Sequence, residues 1–157
     1  MRKPSRIVLA LVTALVLAVA APAIAASFTS GPYVGHTAQK NHRTGQFRKF
    51  SFTANASTSR ITNLKFTNTG TCSDGGKSSG TQSGLAFNVR ADGTFSGKGT
   101  SPNGATKLTL SGTITGTKAW GTFKVTSRFN KQGYLDPNGS ITCTSGVVQW
   151  WAHLSTP

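Results

Sequence analysis

The sequence predicts an all-β protein, a single antiparallel β-sandwich or barrel of about eight strands, mainly a meander, with one disulfide. Three observations carry this. Apolar and polar residues alternate in short runs, turn residues interrupt those runs roughly every 8 to 12 positions, and no stretch beyond residue 26 repeats at a helical period. Composition agrees, since the 157 residues include 18 Gly and no Glu, with Ser and Thr abundant.

The chain begins with a tripartite export signal over residues 1–26. Arg2, Lys3 and Arg6 make a positive start, Ile7 to Ala20 form an apolar run broken by Thr13, and Ala23-Ile24-Ala25 offers the small residues of a cleavage site. The run falls short of the roughly 20 residues that span a bilayer. Cleavage after Ala25 or Ala26 is expected, leaving residues 27–157 as one secreted domain, which is enough chain for one core and too little for two.

Within that domain a first strand lies around Tyr33. Phe50, Phe52 and Ala54 alternate along a second, and Leu64 and Phe66 along a third whose parity reaches Cys72. Leu85, Phe87 and Val89 form a further strand, and Ala91-Asp92-Gly93 then turns the chain. A three-residue loop with Gly93 left-handed sets Phe95 against Val89 on one face. The four-residue loop Pro102 to Ala105 places Gly97 opposite Leu110 and Phe95 opposite Gly112. After the next turn Ile114 meets Ala119, Gly112 meets Gly121, Leu110 meets Phe123 and Leu108 meets Val125. Three loops thus yield one inner face on a four-stranded meander, with large residues facing glycines. A Ser145-Gly146 turn is expected to make a last hairpin that pairs Cys143 with Val148 and Ile141 with Trp150.

The two cysteines, Cys72 and Cys143, belong to an exported chain, where thiols normally oxidise. Their bridge closes a loop of roughly 70 residues, for which chain entropy gives about 4 kcal/mol as an upper figure. It is expected to tie the third strand to the C-terminal hairpin.

The pattern Gly31-x-Tyr33-x-Gly35-x-Thr37, Cys72, Gly93-Thr94-Phe95-Ser96-Gly97, Gly121-Thr122-Phe123 and Cys143-x-Ser145-Gly146 followed by Trp150 and Ala152 resembles small exported bacterial β proteins of unknown function. The resemblance implies a fold and a compartment, and no chemistry. The basic stretch Lys40 to Lys49 departs from it.

Charge is lopsided. Of 17 Lys and Arg, three lie in the signal, leaving 14 against 3 Asp and a net charge of +11 on residues 27–157. A field of that sign enriches anionic partners such as wall polymers, acidic polysaccharides, lipid headgroups or nucleic acid. Catalysis has little to work with. Asp74, Asp92 and Asp136 all sit beside turn residues, and paired-carboxylate glycoside hydrolysis needs two carboxyl groups at a set separation. Gly76-Lys77-Ser78-Ser79-Gly80 matches the hydrolase string G-x-S-x-G, but no helix is expected after it. His36, His42 and His153 could in principle join a Ser or Cys arrangement, but surface or strand histidines need no catalytic explanation. His36, His42 and one Asp have no recognised metal-ligand spacing, and neither a metal nor a cofactor is predicted.

Binding is better served. The solvent face of the meander carries hydroxyls and the cations Arg90, Lys98, Lys107 and Lys124 around Trp120, an arrangement able to stack a sugar or base and hold an anion. Two further candidates are Trp151, whose parity leaves it either covered or exposed, and the basic stretch holding Arg43 and Arg48. The expectation is a non-enzymatic module, extracellular, periplasmic or wall-associated, that binds a glycan or anionic polymer. Its alternative is a structural or inhibitory protein with a protein partner, favoured by an exposed apolar patch around Trp151.

Overall fold

The computed structural model describes residues 27–156; the predicted export signal lies outside the described residues. These contain nine strands and no helix: β1 (Gly31–Lys40), β2 (Phe47–Asn55), β3 (Arg60–Cys72), β4 (Lys77–Asn88), β5 (Thr94–Thr100), β6 (Thr106–Thr115), β7 (Lys118–Phe129), β8 (Ile141–Thr144) and β9 (Val148–Leu154). The sheet runs β4-β3-β2-β1-β9-β7-β6-β5, and β8 pairs with both β3 and β7. That double pairing closes β3, β2, β1, β9, β7 and β8 into a six-stranded barrel. All strand pairings are antiparallel.

Period-two alternation sorts the side chains as expected. Tyr33, Phe50, Phe52, Leu64, Phe66, Phe95, Leu108, Leu110, Ile114, Phe123, Val125 and Trp150 are all buried in one core. Asn63, in the left-handed region with φ 53°, makes a bulge in β3. An extra residue inverts strand parity, which is how Ile61 and Leu64 both reach the core. Aromatic rings fill the barrel. Phe50 lies flat on Trp150 with centroids 4.3 Å apart, and Phe66 meets Phe123 at 4.3 Å. Space for Trp150 comes from Gly112 and Gly121, since a Cβ on Gly112 would stand 2.5 Å from the indole and one on Gly121 2.8 Å.

From β5 to β7 the observed register matches the reading of the sequence residue for residue: Gly97 faces Leu110, Phe95 Gly112, Ile114 Ala119, Gly112 Gly121, Leu110 Phe123 and Leu108 Val125. The Ala91-Asp92-Gly93 turn is also present. Arg90 N donates to Thr94 O at 2.8 Å, Gly93 N to Arg90 O at 2.9 Å, and Gly93 takes φ 80°.

Two pairings differ. Val89 and Phe95 flank their turn, but β4 forms no ladder with β5. It pairs with β3, from Arg60 opposite Asn88 to Thr71 opposite Lys77. The Phe87 ring occupies the space a Cβ on Gly97 would need, so the two strands pack through side chains. The meander therefore has three strands, β5 to β7. The second correction concerns the C-terminal hairpin. β8 and β9 do not pair with each other but follow one another along the same edge of β7. Ser145 explains this. Its N donates to Val125 O at 2.9 Å and its hydroxyl accepts from Val125 N at 2.9 Å, so the chain stays on β7 instead of folding back.

The disulfide Cys72–Cys143 is formed, between residues directly opposite in the β3–β8 pairing. It ties β3 to a strand also held by β7, and so locks the joint that closes the barrel.

Candidate functional site

The outer surface of β5, β6 and β7 follows from the same alternation that fills the core. Positions flanking Phe95, Leu110 and Phe123 must point to solvent. Ser96, Lys98, Thr109, Ser111, Thr122 and Lys124 line a shallow trough of about 370 Å³ there, with Val147 at its rim. A second depression of about 450 Å³ adjoins it through Ser96, Ser111 and Thr122, and runs on to Thr113, Trp120, Thr94 and Arg90. The two form one shallow, open depression whose accessible lining is mainly apolar, with Ser and Thr side chains and cations at intervals and an indole at one end. Ser111 and Thr122 hydroxyls lie 3.2 Å apart across the strands.

Asp92 holds Thr94 at the end of this depression, and the Arg90 guanidinium donates to the Thr94 hydroxyl at 3.5 Å. The Asp92 carboxylate accepts from the Thr94 hydroxyl at 2.6 Å and from Thr94 N at 2.9 Å. Those two bonds, with the Arg90 charge nearby, hold its pKa below the ordinary carboxylate value. All three carboxylates cap their own turns: Asp74 accepts from Gly76 N at 3.0 Å and Asp136 from Asn138 N at 2.8 Å. The string Gly76 to Gly80 opens β4, without the strand-to-helix turn a nucleophile needs.

Trp120 is 44% exposed and Trp151 is 42% exposed. This resolves the parity question for Trp151, which faces solvent. The two are direct partners across β7 and β9, and the row continues on both sides. Trp151 pairs with His36 on β1, and His36 with Lys49 on β2. On the other side Trp120 pairs with Thr113 on β6, and Thr113 with Thr94 on β5. The His36 ring lies 5.5 Å from Trp151 and stacks on Phe47 at 5.1 Å, and Lys40 Nζ stands 5.0 Å from the Phe47 centroid, within cation–π range. Phe47 is 48% exposed. An aromatic band thus crosses four strands, Phe47–His36–Trp151–Trp120, and opens into the trough.

Of the sequence-predicted residues, the fold brings Trp120, Arg90, Lys98, Lys124 and Trp151 onto this continuous surface. Lys107 is on the same face, opposite Thr126 and Thr100, beyond the end of the trough. Arg43 lies on the exposed β1–β2 loop. Arg48 is half-buried, and its Nε has no partner. It shares the parity of Phe50 and Phe52, so it belongs to the inner side while Phe47 and Lys49 face out. The basic stretch is therefore divided, and Lys40 and His42 also border a separate basin of about 240 Å³ with Lys77 and Thr144. In that basin Gln39 imitates a strand, its amide donating to Thr69 O at 2.7 Å and accepting from Thr69 N at 2.9 Å.

His36 and Phe47 were not among the predicted binding residues. Alternation in β1 already put His36 on the side opposite Tyr33; what it lacked was the identity of the neighbouring strand. Among the described residues no three His, Cys, Asp or Glu side chains are grouped to hold a metal. No family model, curated protein or solved structure matches the chain.

Proposed function

We propose that this chain is an exported, non-enzymatic binding module whose ligand is a glycan or anionic polymer, held on the outer face of β5, β6 and β7. The observation that carries the reading is the joining of exposed Trp120 to a trough lined by hydroxyls, Lys98, Lys124 and Arg90. An indole face stacks on sugar rings or bases, and flanking cations hold acid groups, so the combination serves polymers. A packed core supports the same conclusion, because it places the accessible chemistry on the surface. The signal-like first 26 residues and the disulfide support an extracellular, periplasmic or wall-associated setting.

The test is retention of the mature protein, residues 27–157, on immobilised polysaccharides and nucleic acid at low and high salt. Binding should weaken as salt screens the lysines, and Trp120→Ala should reduce affinity roughly ten-fold, as expected for one lost stacking contact. No retention on any polymer at low salt overturns the reading. Recovery of a single protein from secreted material, with binding that resists salt, would instead favour the structural or inhibitory alternative, for which the adjacent exposed rings of Trp120 and Trp151 provide the apolar surface.

A further inference from the structure

Resting on that reading, we infer that the ligand is an acidic polysaccharide and that it crosses the strands, running from the trough over Trp120 and Trp151 to His36 and Phe47. Four features of the outer surface support this. The first is extent. The paired row Lys49–His36–Trp151–Trp120–Thr113–Thr94 spans six adjacent strands, a path of roughly 24 Å at the usual interstrand spacing. Such a surface suits an extended chain rather than a single small molecule.

The second is the sign of the surroundings. Lys40 and Lys49 stand at one end of the row and Arg90 at the other. The pair Lys118–His153 flanks it, one outward position along the strands from Trp120 and Trp151. Among the described residues, the side-chain carboxylate beside this surface is that of Asp92, which already accepts from Thr94. An aromatic band bounded by cations accepts a ligand with apolar ring faces and negative substituents.

The third is the ratio of hydroxyls to cations. The trough carries six hydroxyls against three cations: Ser96, Thr109 and Thr113, together with the Asp92-bound Thr94 and the paired Ser111 and Thr122. Hydroxyls both donate and accept, and so match the hydroxyls of a sugar. Within a nucleic acid strand each sugar has at most one free hydroxyl, whereas each unit of a polysaccharide has several, so a hydroxyl-rich surface favours the polysaccharide. The fourth is continuity: each ring of the band is the strand partner or stacking partner of the next, so consecutive sugars of an unbranched chain meet consecutive rings.

The experiment compares short and long oligogalacturonides by calorimetry, with a neutral glucan oligomer and oligo-dT of similar length as controls. Two sets of variants separate this inference from the reading beneath it. Trp120→Ala and Lys124→Ala lie in the trough; Trp151→Ala, His36→Ala and Phe47→Ala lie on the band. Affinity should rise with oligomer length, and Trp151→Ala should weaken the long oligomer roughly ten-fold while leaving the short one, which the trough alone holds, within two-fold. If the trough variants weaken binding and the band variants do not, the crossing path is wrong and the binding function stands. If neither set changes anything, both fail. Equal or tighter binding of the neutral glucan or oligo-dT overturns the assignment to an acidic polysaccharide. Trp151→Thr, which keeps a strand-favouring residue, replaces Trp151→Ala if the alanine variant does not fold.

Discussion

Trp150 and Trp151 are neighbours in β9 and have opposite roles. Trp150 is fully buried, flat against Phe50 and seated over Gly112 and Gly121. Trp151, one residue on, turns its ring to water beside Trp120 and His36. The inner ring adds apolar burial and dispersion contacts, each tied to the shape of the space around it. The outer ring, 42% exposed, gains less of both. Trp151 is partly covered by its neighbours, so it adds some burial to folding, but its open ring face belongs to the aromatic band and not to the core.

The largest effect sharpens this contrast. Trp150→Ala should destabilise the fold by roughly 3–5 kcal/mol, the range for large-to-small changes that leave a cavity, whereas Trp151→Ala, which removes a partly covered strand residue, should cost only about 1 kcal/mol. Denaturant titration of the two variants measures the difference. Equal losses would make the outer ring a structural element and break the contrast between the faces.

Next in size is the bridge. Replacing both Cys72 and Cys143 with Ser removes a crosslink between positions 71 residues apart, with an expected cost of about 2–4 kcal/mol. Because it joins β3 to β8, away from the aromatic band on β2, β1, β9 and β7, polymer affinity should be unchanged at temperatures where the variant is folded. A loss of affinity in folded protein would mean that the joint between β3 and β7 shapes the outer face.

The fold and the candidate site were legible to different depths for one reason. Short loops transmit register, so the β5-β6-β7 pairing could be counted from Pro102 to Ala105 and across the turn after Ile114. Alternation says which face a residue occupies but not which strand lies beside it. That β4 pairs with β3, that β9 sits between β1 and β7, and that β8 joins β3 to β7 are contacts between distant segments, and no local pattern encodes them. The site divides along the same line. Trp120, Lys98 and Lys124 could be grouped because one meander carries them. Trp151, His36 and Phe47 join them only through the β1–β9 and β7–β9 pairings. Arg48 is a different case: its alternation with Phe50 and Phe52 already separated it from Lys49, and grouping residues by charge alone obscured that.

The smallest effect tests the inner face where it meets the rim. Tyr33 packs its ring on Phe52, centroids 4.9 Å apart, while its hydroxyl, with one proton to share, donates to the carbonyls of Thr29 and Gly116 at 3.0 and 2.9 Å. Burial pushes its pKa above the ordinary phenol value. The sign follows from linkage. With the folded pKa raised, the unfolded chain loses its phenol proton first, so Tyr33 contributes fully below about pH 10 and that contribution falls as pH climbs toward the folded value. Tyr33→Phe keeps the ring and removes the hydroxyl. It should cost about 1 kcal/mol at neutral pH, and the gap from the native protein should narrow above about pH 10 as the native phenol is driven to ionise. Paired denaturation curves across that range decide it. A gap that stays constant or widens with pH would mean that the hydroxyl is not held as a buried neutral donor, and that the inner face is open to water at Tyr33.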